Sequence, residues 1–334
     1  GEFGITQIPV AFMAVIDHYT DAFPGTVAVT APQQFSYDLL LKEVGPLLSA
    51  FVPGIESVKR GFARGRVNTT DNTLVLESDL NRVRFKNMTL SSPAISIDTE
   101  ENALTYTVRA SSAVFADSLL LPSPVVSGVL ANERITFDLD AGTDTSDQNI
   151  ALAGNLDFSG EYTVLSLDPD DIVINGEQWE VRGQNQIAFG DNYLNAENLV
   201  LASGSQTITI NSPQTNDLTV DFSNVSVYDL TQIVNYRGFA FRGLISGSFG
   251  MTNIFSATGL NADITVSGFA INEDTIGTVV FNASQQPGSD RTNLDLSLMQ
   301  ETERAGVTGY FTSTGETTNL NLDAELNEFP IVTI

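Results

Sequence analysis

The chain has 334 residues, of which 42% are apolar, enough to bury a sizeable core. Its formal charge of −26 argues against a nucleic-acid partner, because phosphate binding depends on Lys and Arg, and against simple adhesion to an anionic membrane surface. The absence of cysteine excludes disulfides, thiolate metal sites and a cysteine nucleophile.

The chain is interpreted as a segment of a longer protein. Its first three residues, GEF (1–3), are typical of a cloning scar, and its last residues, NEFPIVTI, contain no turn or tail. No apolar run has the length of a transmembrane helix, and the stretch IPVAFMAVI (8–16) is too short. A signal peptide or membrane anchor would then lie outside this segment.

Residues 35–52 have the spacing of an amphipathic helix, with apolar residues at positions i, i+4, i+7 and i+8. Pro46 is expected to kink or split this helix, and Gly54 to end it. The apolar side chains of this predicted helix are Phe35, Leu40, Val44, Leu47, Leu48 and Phe51.

A second, shorter helix is predicted over SVYDLTQIVNY (226–236). Ser226 and Asp229 have the spacing of a capping box. Leu230, Ile233 and Val234 form one apolar face of this helix.

Nearly all of the remaining chain alternates polar and apolar residues with period two, which predicts strands that bury one face. Clear examples are AISIDT (94–99), ERITFDLD (133–140), DLTVDFS (217–223), ADITVSGFA (262–270) and NLDLSLM (293–299). Asn, Asp, Gly, Ser and Pro cluster between these runs, as in turns. The sequence therefore predicts a mostly β fold of antiparallel strands.

Two similar phrases, SVKRGFARG (57–65) and VNYRGFAFRG (234–243), indicate a repeated module, each following a predicted helix and leading into a run of strands. Chance similarity is the alternative, because the shared motif RGFA has only four residues. The expected organisation is a scar (1–3), leading strands and an amphipathic helix (4–54), a first β module (55–225), and a short helix with a second, truncated module (226–334).

Seven of the fifteen basic residues lie between positions 59 and 86. They favour either a patch for a lipid headgroup or partner, or ordinary surface charge on two neighbouring strands. These residues are Lys59, Arg60, Arg64, Arg66, Arg82, Arg84 and Lys86.

Signatures of catalysis are lacking. The single histidine, His18, does not make a zinc site alone, and no nucleophile elbow, phosphate loop or dinucleotide fingerprint is present. The acidic stretches 138–147 and 168–171 lack the spacing of an EF-hand. Glycoside hydrolases commonly have a groove rich in Trp and Tyr, whereas this chain has one tryptophan, Trp179. We therefore expect no enzyme, no cofactor and no metal site.

Alternating strands in an elongated, curved sheet leave a half-open apolar trough, which needs an apolar occupant because a large exposed apolar patch favours aggregation. The side chains expected in the trough are Leu218, Val220, Phe222, Ile264, Val266, Val279, Phe281, Leu294, Leu296 and Leu298. The alternative for each is a core position in a closed sheet without a ligand. The two short helices are expected to plug the trough with Leu40, Val44, Leu47 and Phe51, and with Leu230, Ile233 and Val234.

Residues 161–212 and 241–284 carry a pattern known from one family. Ile172–Val181 has the form I-x-I-N-x-x-x-W-x-V, and further alternating strands follow over Ile187–Ile210. Gly243–Phe249 has the form G-x-x-x-G-x-F, and Asp274–Ala283 the form D-T-I-G-x-x-x-x-x-A. Over 161–326, and more loosely over 55–160, the chain resembles the TamB proteins of the translocation and assembly module, in the AsmA-like group of bacterial envelope proteins.

This resemblance implies an elongated, half-open antiparallel sheet, the β-taco, interrupted by short amphipathic helices. It implies transport of phospholipid acyl chains through the periplasm between the inner and outer membranes, in support of outer-membrane biogenesis and protein assembly. It also implies an outer-membrane barrel partner of the TamA type and an inner-membrane anchor, both through the full-length protein.

Two other functions stay open from the sequence. One is a closed β-sandwich or β-solenoid adhesin that binds protein or glycan through its loops. The other is a carbohydrate-active β-solenoid enzyme, which would need a carboxylate cluster at the sheet surface.

Overall fold

The computed structural model describes most of the chain. The described residues are 7–20, 32–43, 54–116, 119–142, 149–170, 172–183, 185–232, 239–255, 259–286, 289–300, 303–314 and 317–327. They divide into two compact units, Gly1–Gly176 (unit 1) and Glu177–Ile334 (unit 2). The module boundaries expected from the sequence stay predictions.

Unit 1 contains one described helix, α1 (Gln7–Ile16), and otherwise strands. The strands are β1 (Gln34–Glu43), β2 (Ile55–Asn68), β3 (Thr73–Phe85), β4 (Met88–Ser91), β5 (Ala94–Glu100), β6 (Ala103–Arg109), β7 (Ser112–Phe115), β8 (Leu119–Pro122), β9 (Val125–Ala131), β10 (Arg134–Ala141), β11 (Ile150–Asp157), β12 (Thr163–Leu167) and β13 (Ile172–Ile174).

Unit 2 contains a short helix, α2 (Val227–Gln232), between its strands. The strands are β14 (Glu177–Arg182), β15 (Gln186–Gly190), β16 (Tyr193–Glu197), β17 (Leu199–Ser203), β18 (Gln206–Asn211), β19 (Leu218–Ser226), β20 (Phe241–Thr252), β21 (Gly259–Ile271), β22 (Asp274–Gln285), β23 (Arg291–Gln300), β24 (Glu303–Thr314) and β25 (Thr317–Asn327).

The predicted fold class is confirmed: the protein is mostly β, and its antiparallel sheet is not closed. In unit 2, strands β17 to β25 form an antiparallel meander, in which each strand pairs with the next strand along the chain. In unit 1, β2 pairs with β1 and β3, and the order continues through β5, β6, β9, β10 and β11. Strands β4, β7 and β8 form a side branch from β3.

The helix predicted over 35–52 is wrong in its described part. Residues Gln34–Glu43 form β1, which pairs with β2 from Gln34↔Asn68 to Glu43↔Lys59. Phe35, Tyr37, Leu39 and Leu41 are half-buried while the residues between them are exposed, so a period of two describes this segment better than a helical period. Leu40 therefore lies on the opposite side of β1 from the half-buried residues and is 77% exposed, not part of a plug. Val44, Leu47, Leu48 and Phe51 lie outside the described residues.

Helix α1 was not predicted. It forms over the stretch that the sequence suggested was too short for a membrane, with Ile8, Ala11, Phe12, Val15 and Ile16 at helical spacing. Pro9 is tolerated because it lies in the first turn, where its missing N–H has no partner in the helix. Among the described residues, no helix combines the length and apolar character that crossing a membrane requires.

Helix α2 confirms the predicted helix over its described part. The Oγ atom of Ser226 accepts a hydrogen bond of 3.3 Å from the backbone N–H of Asp229, which is the expected N-terminal cap. Leu230 is half-buried. Ile233 and Val234 lie outside the described residues, so the plug expected from them stays a prediction.

Candidate functional site

One side of the unit 2 meander is apolar across all of its strands. Directly opposed residues of an antiparallel pair lie on the same face, so the register defines a row of side chains across the sheet. One such row is Leu201, Ile208, Phe222, Gly247, Ile264, Phe281, Leu296, Val307 and Ala324. We call the surface formed by this row and its parallel neighbours the apolar face of unit 2.

The ten trough residues predicted from the sequence all lie on this face. Phe222, Ile264, Phe281 and Leu296 belong to the row above. The other six fall in rows on either side of it, through the pairs Val220↔Phe249, Val266↔Val279, Val279↔Leu298, Ala283↔Leu294 and Leu218↔Met251. Nine of the ten are half-buried, and Leu296 is exposed.

The apolar face of unit 2 continues to the last described strand and becomes more open there. Leu320, Leu322 and Leu326 of β25 oppose Phe311, Gly309 and Ala305 of β24, so they extend the same rows. Their exposed fractions are 62%, 47% and 62%, compared with 38% for Leu296. Leucines exposed to this extent on one side of a sheet are typical of a surface that contacts an apolar partner.

The other side of the same strands is polar. One row on that side consists of Asp221, Ser248, Asp263, Asn282, Asp295, Thr308 and Asp323. Carboxylates occupy alternate strands and neutral polar residues the strands between them, so no two carboxylates of this row are directly opposed. The meander therefore has one side suited to water and one suited to apolar groups.

Unit 1 also has an apolar face, and α1 covers part of it. Ala11, Val15 and Tyr19 pack with Val67, Leu74, Leu104 and Leu130 in a buried core, and Ala11 and Val15 are 0% exposed. Tyr19, just beyond the C-terminal end of α1, fixes the position of the helix through two hydrogen bonds. Its hydroxyl donates to the carbonyl of Asn72 at 2.7 Å, and the backbone carbonyl of Tyr19 accepts from the N–H of Glu133 at 3.1 Å. Helix α1, and not a helix over residues 35–52, therefore covers part of this face.

Three aromatic residues on this face are directly opposed by glycines. The pairs are Tyr37↔Gly65, Tyr106↔Gly128 and Phe137↔Gly154. A Cβ atom on each glycine would lie within 2.9 Å of the opposed aromatic side chain, so only glycine leaves room for these rings. The sequence shows the residues but not their pairing, because the pairing depends on the register.

The hydroxyl of each of the two tyrosines donates to a backbone carbonyl on the strand that lies beyond the opposed glycine. Tyr37 donates to the carbonyl of Val75 at 3.3 Å, and Tyr106 to that of Thr136 at 2.9 Å. Burial raises the pKa of both phenols above its ordinary value. Both hydroxyls are already hydrogen-bonded, which leaves the rings as apolar surface.

A cavity of about 300 Å³ lies on the apolar face of unit 1, at the C-terminal end of α1. Its lining is almost wholly apolar and comes from the helix and from strands β5, β6, β9 and β10. The lining residues are Ile16, Ile97, Leu104, Tyr106, Leu130 and Ile135. None of these residues was predicted from the sequence as a site residue, although the alternation of β5 and β10 places Ile97 and Ile135 on one side of their strands.

The basic residues between positions 59 and 86 lie on β2, β3 and the following turn, and all seven are exposed. Arg64 forms an ion pair with Glu77 at 2.7 Å, and Arg84 one with Glu56 at 2.6 Å. Exposed ion pairs of this kind contribute little to stability. Because β2 and β3 are paired neighbours, this arrangement favours the interpretation as ordinary surface charge over that as a headgroup patch.

Within the described residues, no group of three or more His, Asp or Glu side chains has a geometry that holds a metal ion. Comparison with known proteins gives no matching family model, no matching curated protein and no matching solved structure. The two apolar faces are therefore the features of the described residues that point to a function.

Proposed function

We propose that this chain is a lipid-carrying segment of a TamB/AsmA-like envelope protein, and that phospholipid acyl chains bind to the apolar face of unit 2. The observation that carries this proposal is the continuity of that face. Its rows run from β17 to β25, the row through Phe222 has no charged side chain at any of its nine positions, and its leucines become more exposed toward β25.

The mechanism is passive. Acyl chains lie against the half-buried side chains and displace water, while the headgroups stay in solvent. Each square ångström of apolar surface removed from water contributes about 25 cal/mol, so affinity arises from area and not from a specific polar contact. A face of similar apolar character along the meander gives a lipid no strongly preferred position, which suits movement along the sheet.

The location and partners follow from the same proposal. The protein acts in the periplasm, anchored in the inner membrane through its full-length chain, and it delivers phospholipid toward the outer membrane in cooperation with a barrel of the TamA type. Support for outer-membrane protein assembly follows from that delivery. The resemblance of residues 161–326 to the TamB pattern supports these assignments, and the charge of −26 agrees with the absence of a nucleic-acid partner. Catalysis and a cofactor have no part in this mechanism.

The adhesin alternative has no observation in its favour. A closed sandwich would bury both ends of the apolar rows, whereas the sheet here is not closed and Leu320 and Leu326 are each 62% exposed. A binding site formed by loops would leave these leucines without a partner.

The test is native mass spectrometry of the purified chain, with lipid extraction from the same sample. We expect bound phospholipid in the native protein and its loss in the double variant Phe222→Asp/Phe281→Asp, because two carboxylates on the apolar face cannot be desolvated by an acyl chain. The matched control is Ser223→Asp/Ser284→Asp, which adds the same two charges at exposed positions of the same strands, β19 and β22.

Retention of lipid by the control and its loss from the folded Phe222→Asp/Phe281→Asp protein would support the proposal. A native protein free of lipid that also fails to take up a fluorescent phospholipid from vesicles would refute it. Equal lipid binding by both double variants would exclude the apolar face of unit 2 as the site.

A further inference from the structure

The cavity at the C-terminal end of α1 is lined only by residues of unit 1. Helix α1 occupies the neighbouring part of the unit 1 face, where Ala11 and Val15 are completely buried against Val67, Leu74 and Leu104. The helix ends at Ile16, and the cavity lies there, between Ile16 and the buried side chains of Leu104 and Leu130, which are 2% and 7% exposed. This part of the sheet therefore packs against aliphatic side chains along α1 and leaves a space of the same character next to it.

Water is a poor occupant of this space. A buried water molecule generally needs two to four polar partners. Among the lining side chains only Tyr106 has a polar atom, and its hydroxyl already donates to the carbonyl of Thr136 at 2.9 Å. The remaining walls are aliphatic, so an apolar occupant fits better than a polar one.

The volume indicates the size of that occupant. An apolar cavity of about 150 Å³ holds one benzene molecule, which has six carbon atoms. The cavity here, at about 300 Å³, is twice as large. By this comparison it accommodates about ten to twelve carbon atoms.

We propose that this cavity binds the terminal segment of one unbranched alkyl chain, and that α1 is the end wall against which the chain stops. The proposal rests on the proposed function for the class of ligand, but it concerns a different site. The alkyl chain belongs either to a free fatty acid or to a phospholipid. In both cases the carboxylate or headgroup lies outside the cavity.

The experiment uses the whole chain and two photoreactive probes. One is dodecanoic acid with a diazirine at its terminal carbon, and the other is a phosphatidylethanolamine with the same diazirine at the end of one acyl chain. After irradiation, the labelled residues are located by peptide mass spectrometry. We expect labels on Ile16, Ile97 or Ile135 from at least one probe, and the more effective probe identifies the source of the chain.

A variant that fills the cavity tests the site directly. Ile135→Trp is expected to reduce labelling of unit 1 by about tenfold, since a cavity filled by the indole excludes the chain. Labelling of unit 2 should be unchanged. The matched control is Asp138→Trp, which adds the same side chain at an exposed position on the other side of β10. If Ile135→Trp fails to fold by thermal melting, Ile97→Phe serves the same purpose from β5.

The outcomes separate this inference from the proposed function. Labels in unit 2 alone would overturn the cavity and leave the proposed function standing. Labels in unit 1 alone, lost in Ile135→Trp, would support the cavity and contradict the apolar face of unit 2 as a lipid site. Unit 1 labels that persist undiminished in the folded Ile135→Trp protein would also overturn the cavity, and no label in either unit would overturn both.

Discussion

Tyr106 and Gly128 are directly opposed on β6 and β9, and the tyrosine reaches past the glycine to donate a hydrogen bond of 2.9 Å to the carbonyl of Thr136 on β10. Tyr37 makes the same arrangement with Gly65 and the carbonyl of Val75. In both places the ring takes the space that a side chain on the opposed residue would need. The unit 1 face thereby acquires aromatic surface without an unpaired hydroxyl.

Gly128→Ala tests this arrangement. A Cβ atom at position 128 would lie 1.9 Å from the carbonyl oxygen of Thr136 and 2.9 Å from the hydroxyl of Tyr106, so the backbone has to shift. We expect a loss of about 1–3 kcal/mol in the free energy of unfolding, measured with urea. Gly160→Ala is the matched control, because its nearest contact would be an ordinary 3.6 Å. Equal stability of the two variants would show that the ring tolerates a methyl group.

Tyr106→Phe removes the hydroxyl and keeps the ring. The expected cost is about 1 kcal/mol in the free energy of unfolding, the usual contribution of one hydrogen bond. The cavity beside the ring keeps its shape, so labelling by the alkyl probe should persist. If Tyr106→Phe lost as much free energy of unfolding as Gly128→Ala, or lost labelling by the alkyl probe, the hydroxyl would have a role beyond its hydrogen bond to the carbonyl of Thr136.

Val15→Ala tests whether α1 is packed as a permanent part of unit 1. Val15 is 0% exposed in the core, so the loss of two methyl groups should cost about 2 kcal/mol. Val10→Ala makes the same change at a half-buried position of the same helix and should cost less. If both changes leave the melting temperature unaltered, α1 does not contribute to stability as its burial implies.

Asp157→Asn should weaken the protein in a pH-dependent way. Hydrogen bonds from Arg134 at 2.7 Å and from the hydroxyl of Ser159 at 2.6 Å lower the pKa of this carboxyl from 3.8 to about 2. Because the folded protein holds the ionised form more strongly than the unfolded chain does, this stabilisation is complete above pH 4 and is lost as the pH falls toward 2.

The free energy of unfolding of native and Asp157→Asn proteins, measured from pH 6 to pH 2, checks this expectation. The difference between them should be largest near pH 6 and disappear close to pH 2. Arg134→Gln is the companion variant. Its free energy of unfolding should differ from that of the native protein in a less pH-dependent way than that of Asp157→Asn does, because the hydrogen bonds from Ser159 to Asp157 remain. If the difference in the free energy of unfolding stayed constant from pH 6 to pH 2, the effect of the substitution would not depend on ionisation of Asp157.

The faces of the strands could be predicted from the sequence because a period of two assigns every second residue to one side. This was sufficient to place the ten residues predicted for a trough, from Leu218 to Leu298, on one face of the sheet, and the trough itself stays a prediction. The helix prediction was wrong for FSYDLLLKE (35–43) because consecutive leucines at 39–41 fit a helical period as well as an alternating one. Pairing with β2 decides for the strand. The sequence of helix α1 has helical spacing at Ile8, Ala11, Phe12, Val15 and Ile16. The helix was not predicted because this apolar stretch was compared only with the length of a membrane span.

The cavity and the aromatic–glycine pairs could not be predicted in the same way. Tyr106 and Gly128 are far apart in the chain, and they meet only because β6 pairs with β9 and not with the intervening strands. Similarly, the walls of the cavity come from one helix and four strands. Long-range register decides both features, and no local pattern contains it.

The alternation of carboxylates on the polar side of unit 2 has a consequence for the edge of the meander. Within the described part of the chain, β25 pairs with β24 alone, so its outer edge offers unpaired backbone groups to another strand. If a second copy of β25 paired with it antiparallel about Ala324, Asp323 of each copy would face Glu325 of the other. Two directly opposed carboxylate pairs would then repel each other at neutral pH. The same charges that keep one side of the sheet in water thus oppose edge-to-edge association of identical molecules.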